Sequence, residues 1–131
     1  MLALTGCKRE CECDSDDSLV QFGASEAFGV GAYSAVLAID EEVRTTCTFE
    51  LTGEPTVVTA VCDDATVELM VTPGGATFTI PEFLEGAAVS LTVTGADGVW
   101  AGSSTIDAAF ESRLDNCLCL YGIATGELVP T

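Results

Sequence analysis

The sequence predicts an all-β protein: an antiparallel β-sandwich, immunoglobulin-like in pattern, with a small β-barrel as the alternative. Three observations predict it. Apolar and polar residues alternate with a period of two over successive short runs, which gives a strand one buried and one wet face. Those runs are dominated by Val and Thr, the residues that suit a pleated, half-buried surface. Turn signals recur every 8–12 residues or so, the spacing of antiparallel sandwiches and barrels.

The elements follow in order. Val43, Thr45, Cys47, Phe49 and Leu51 alternate with Arg44, Thr46, Thr48 and Glu50. Val67, Leu69 and Val71 alternate with Glu68, Met70 and Thr72; Phe78 and Ile80 with Thr77 and Thr79; Val89, Leu91 and Val93 with Ser90, Thr92 and Thr94. Gly53-Glu54-Pro55, Asp63-Asp64, Pro73-Gly74-Gly75, Glu85-Gly86 and Asp97-Gly98 punctuate them. Strands are expected near 19–23, 29–39, 43–52, 56–62, 65–72, 76–81, 87–95 and 98–106. The stretch 106–121 suits both periods. It is read as a strand end, an irregular or one-turn helical connector, and a short strand near 117–124. Phe49, Phe78, Phe110 and Trp100 are expected in the core, and Phe83, between Pro81 and Gly86, can be exposed.

Charge narrows the function. The 131 residues carry 21 acidic side chains against Lys8, Arg9, Arg44 and Arg113, a net charge of −17. Such a chain repels phosphate backbones, so nucleic acid is not an expected partner. There is no histidine, so imidazole bases, Ser-His-Asp triads and His-based zinc sites are excluded. The chain is expected to be non-enzymatic, with a carboxylate-based hydrolase as a remote alternative.

The N-terminus bears on compartment. Leu4-Thr5-Gly6-Cys7 resembles the lipobox of bacterial lipoproteins. The resemblance implies a lipid on Cys7 (diacylglycerol and often a further acyl chain such as palmitate) and cleavage before it. Residues 1–6 are then the remnant of a signal peptide whose start lies upstream. Residues 7–18 form the lipid anchor and acidic tether, and 19–131 the single β domain. Two or three acyl chains hold stably to a membrane. The expected location is the bacterial cell envelope, at the outer membrane or cell surface, with another envelope or surface protein as partner. A cytosolic start at Met1 is the alternative.

The seven cysteines agree with export. With Cys7 acylated, six remain, an even number for disulfides. A turn at Glu54-Pro55 sets Thr52 opposite Val57 and Cys47 opposite Cys62, so these two are expected to pair. Cys11-x-Cys13 and Cys117-x-Cys119 each present two thiols on one side of an extended chain. They are expected to form two bridges of open connectivity, or, in a reducing compartment, a zinc site. No resident cofactor is expected. Calcium is the one ligand weighed: Asp14, Asp16 and Asp17 lie at loop-like spacing, but Leu19 stands where a calcium loop needs glycine. Asp40-Glu41-Glu42 and Asp63-Asp64 are further acidic turns.

Overall fold

The period-two alternation becomes strands throughout the computed structural model, which describes residues 17–54, 56–96, 98–112 and 118–131. In chain order they are β1 (Ser18–Ala24), β2 (Gly31–Ile39), β3 (Glu42–Leu51), β4 (Val58–Thr59), β5 (Val61–Cys62), β6 (Glu68–Thr72), β7 (Gly75–Ile80), β8 (Ala88–Gly95), β9 (Gly98–Thr105), β10 (Asp107–Ser112) and β11 (Leu118–Pro130). Burial follows the pattern: Val89, Leu91 and Val93 of β8 face inward, and Ala88, Ser90, Thr92 and Thr94 outward.

All eleven strands belong to one sheet, ordered β4-β6-β7-β1-β11-β9-β8-β2-β3-β5, with β10 beside β11. The outermost strands, β4 and β5, are consecutive in the chain and separated by Ala60 alone. Val58 and Thr59 pair with Val71 and Met70 of β6, whereas Val61 and Cys62 pair with Thr48 and Cys47 of β3. One short segment thus spans both ends of the sheet and nearly closes it. Of the two expected architectures the small barrel is the one that fits.

Three expectations need correction. The sheet is not wholly antiparallel: β1 pairs parallel with β11, Ser18 opposite Gly122 through Ala24 opposite Leu128. A parallel neighbour needs a long connection, here nearly the whole chain, and no local pattern announces it. The expected strand 56–62 is split, because its two halves serve opposite ends of the sheet. The region 106–121 contains β10, which pairs antiparallel with β11; β11 runs to Pro130, well beyond the expected short strand.

The core fills the barrel with Val20, Phe22, Leu37, Leu69, Phe78, Leu91, Ile106 and Leu128. At one end the segment between β1 and β2 folds over the opening. Its Phe28 inserts among Trp100 (ring centroids 5.0 Å), Tyr33 (5.6 Å) and Phe49 (6.5 Å). The Trp100 indole N–H donates to the Glu26 carbonyl at 3.1 Å, so its one polar atom stays paired when buried. Trp100, Phe49 and Phe78 are core residues, as expected, and Phe83 is half-buried. The side chain of Phe110 lies outside the described residues.

Candidate functional site

Two regions bring chemistry-bearing residues together. The first is the closing seam. Cys47 and Cys62, opposed across β3 and β5, form a disulfide with their Cα atoms 3.9 Å apart. Below it, Arg44 sits where the β2–β3 register shifts, between the Leu37–Thr45 and Ala38–Val43 pairs. Its guanidinium reaches the connections that follow β5 and β7. There Nε donates to Asp64 Oδ2 at 2.8 Å, and Nη1 pairs with Glu82 Oε1.

Asp64 is the most perturbed carboxylate among the described residues. The Thr66 hydroxyl donates to Oδ1 at 2.5 Å, Arg44 holds Oδ2, and the Thr66 backbone N–H adds a bond of 3.0 Å. In that order these contacts lower its pKa from the ordinary 3.8 to about 2. Each favours the charged form. Thr45, buried, accepts from the Asp64 backbone N–H at 3.0 Å. Ser18, also buried, donates to the Glu82 carbonyl at 2.6 Å and accepts from the Leu84 N–H at 3.1 Å. These bonds fix the seam to the start of β1.

The second region is the outer face of β9, β8, β2 and β3. In register its rows read Val99–Thr94–Ser34–Thr48 and Ala101–Thr92–Val36–Thr46. Along all of β2, β8 and β9, and along β3 from Thr46 onward, Glu50 is the one charged residue. Among the described residues Glu26, Asp40, Glu41, Glu54, Asp63, Asp64, Glu82 and Glu85 lie in the connections between strands. An open groove of about 550 Å³ lies over the start of β2, lined by Ala32, Ser34, Thr48, Glu50 and Thr94. At its end Tyr33 lies opposite Gly95, and a Cβ on Gly95 would stand 2.4 Å from the tyrosine ring. The glycine is required there by the ring, which stacks on Phe49 at 5.2 Å.

The residues singled out in the sequence are distributed as follows. Cys47 and Cys62 are joined. Cys7, Cys11, Cys13 and Cys117 lie outside the described residues, as do Asp14 and Asp16. Cys119 is described only as a backbone position of β11, opposite Glu111. Asp17 accepts a bond from the Gly122 N–H through its carbonyl, 3.0 Å. Asp40 and Glu41 form the β2–β3 turn with φ of 52° and 71°, and Asp40 Oδ1 accepts from the Ala88 N–H at 3.0 Å. The Asp40 and Asp64 carboxylates are therefore engaged by groups of the protein itself. No cluster of three or more His, Cys, Asp or Glu suited to a metal occurs among the described residues. The sequence reading missed the Arg44 hub and the sparsely charged face. Arg44 was visible as the one basic residue inside a strand run. The face was not, because β2 meets β8 only through tertiary pairing.

No protein-family model, no curated protein and no solved structure matches this chain.

Proposed function

We propose that this chain is a non-enzymatic domain of the bacterial cell envelope, held to a membrane by a lipid on Cys7 and working through contact with other protein. The observation that carries the reading is the Cys47–Cys62 disulfide across the closing seam. A structural disulfide belongs to an oxidising compartment, and the lipobox-like Leu4-Thr5-Gly6-Cys7 is the matching export feature. The outer face of β9, β8, β2 and β3 from Thr46 onward, with Glu50 its one charged residue, supports a role in contact. Charged residues are depleted where protein surfaces meet, and shallow, open surfaces suit protein better than small molecules.

Intact mass of the native protein from membranes, before and after reduction with thiol alkylation, tests this. The expected result is a chain beginning at Cys7 with acyl groups, and cysteines that alkylate only after reduction. Retention of the residues before Cys7, with free thiols, overturns it. A rise in melting temperature on adding calcium, reversed by chelator, replaces the contact reading with an acidic calcium-dependent module.

A further inference from the structure

We infer that Cys62 is a thiol–disulfide exchange site: an external thiol or disulfide of cationic or neutral character reacts at its sulfur, and Cys47 is the internal partner that re-forms the bridge. The inference does not depend on a lipid at Cys7.

The two ends of the bridge differ in access. Cys47 is 0% exposed, set inward on β3 as part of the core and opposite Ala35 of β2. Cys62 is half-buried on a strand of two residues. Its chain neighbours Val61 and Asp63 are exposed, Val61 to 75%. Exchange needs a thiolate to reach one sulfur of the bond, and access decides which sulfur is attacked. On the folded barrel the Cys62 end is the one open to that approach.

A thiolate RS⁻ bonds to the Cys62 sulfur as the Cys62–Cys47 bond breaks. Cys47 leaves with the electron pair and takes up a proton, because apolar surroundings disfavour a buried thiolate. A second RS⁻ attacks the reagent sulfur and releases RSSR and the Cys62 thiolate. Two thiols are oxidised and one bridge is reduced. Oxidation by a donor disulfide is the reverse. Cys62 captures one donor sulfur, and Cys47, its Cα 3.9 Å from that of Cys62, then displaces the donor as a thiolate.

Bonds on both sides hold the segment in place without the bridge. The Ala60 N–H donates to the Leu69 carbonyl at 2.9 Å, and the Asp63 N–H to the Thr46 carbonyl at 3.0 Å. Arg44 pairs with Asp64 at 2.8 Å. The reduced cysteines therefore stay opposed, with Cys47 sealed and Cys62 accessible.

Charge selects the reagent. Asp63 and Asp64 follow Cys62 directly. Arg44, the one basic side chain among the described residues, is engaged by Asp64 and Glu82. On a chain of net charge −17, an anionic reagent is repelled and a cationic one attracted. The effect reaches a Debye length, ~10 Å at 0.1 M salt.

Replacing each cysteine in the full chain separates the two ends. Cys47→Ala leaves the Cys62 thiol and Cys62→Ala the Cys47 thiol; matching far-UV circular dichroism shows that each variant folds. Cystamine, a cationic disulfide, is added in native buffer, and peptide mapping after acid quench locates the mixed disulfide. Cys62 is expected to react roughly tenfold or more faster than Cys47. It should also react faster with cystamine than with anionic oxidised glutathione, and high salt should narrow that gap. Where a variant fails to fold, the same mapping on the unsubstituted chain during native reduction by cysteamine gives the answer, with the adduct expected on Cys62. Equal labelling of the two thiols, an adduct on Cys47, or a bridge reduced only in denaturant overturns the inference. Equal rates with cystamine and glutathione at low salt overturn the reagent class.

Discussion

Cys47 of β3 and Cys62 of β5 are bridged at the point where the last strand of the sheet returns to the first, so the disulfide fastens the closure of the barrel. β5 is only two residues long, too short to hold that seam by ladder hydrogen bonds alone. The double variant Cys47→Ala/Cys62→Ala, which leaves no lone thiol, is expected to lose about 3 kcal/mol of stability for a closed loop of this length. Urea denaturation followed by circular dichroism measures it. A loss below about 1 kcal/mol would mean that the seam is held by packing.

The second prediction concerns pH. The Asp64 carboxyl is held at about 2 by the Thr66 hydroxyl, by Arg44 and by the Thr66 N–H. A depressed carboxylate contributes stability above its unfolded pKa, and that contribution disappears as pH falls through the folded value. Asp64→Asn is therefore expected to melt below the unsubstituted protein near neutral pH. The gap should close as pH falls from about 4 toward about 2. Thermal melts across that range give the answer, and a gap independent of pH would remove Asp64 ionisation from the account.

A third prediction follows from Tyr33 and Gly95. Gly95→Ala places a methyl 2.4 Å from the tyrosine ring, which must swing away from its stack on Phe49. Overpacking of this kind costs about 1–3 kcal/mol. The near-UV circular dichroism of the aromatic cluster should change together with stability.

Phe28 supplies the fourth. It is 4% exposed and touches three other rings. Phe28→Ala is expected to destabilise by about 3–5 kcal/mol. The sole tryptophan, Trp100, reports the change directly: water reaching its ring should shift its fluorescence to longer wavelength in the folded variant.

The fifth concerns the remaining cysteines. The Gly122 N–H donates to the Asp17 carbonyl, at the start of the parallel β1–β11 ladder. Asp17 is four residues from Cys13, and Gly122 three from Cys119. Ser18 and Gly122 stand opposite each other at that start of the ladder, a few residues from the two C-x-C units in sequence. Peptide mapping without reduction should recover Cys11 and Cys13 linked to Cys117 and Cys119. Free thiols, or bridges within each C-x-C unit, would contradict it.

The sequence by itself determined the strands and which face of each is buried, because period-two alternation is a local property of the chain. It also paired Cys47 with Cys62, because a short connection fixes a register by counting from its turn. Only the tertiary structure decided how the strands assemble. The parallel β1–β11 pair joins Ser18 to Gly122, and β2 finds β8 across more than fifty residues. Contacts so distant depend on the whole set of buried side chains packing at once, and no single segment encodes them. The split of 58–62 between two sheet ends has the same cause. So does the sparsely charged face: Thr46, Thr48, Thr92 and Thr94 are ordinary outward residues of separate strands until the fold sets them side by side.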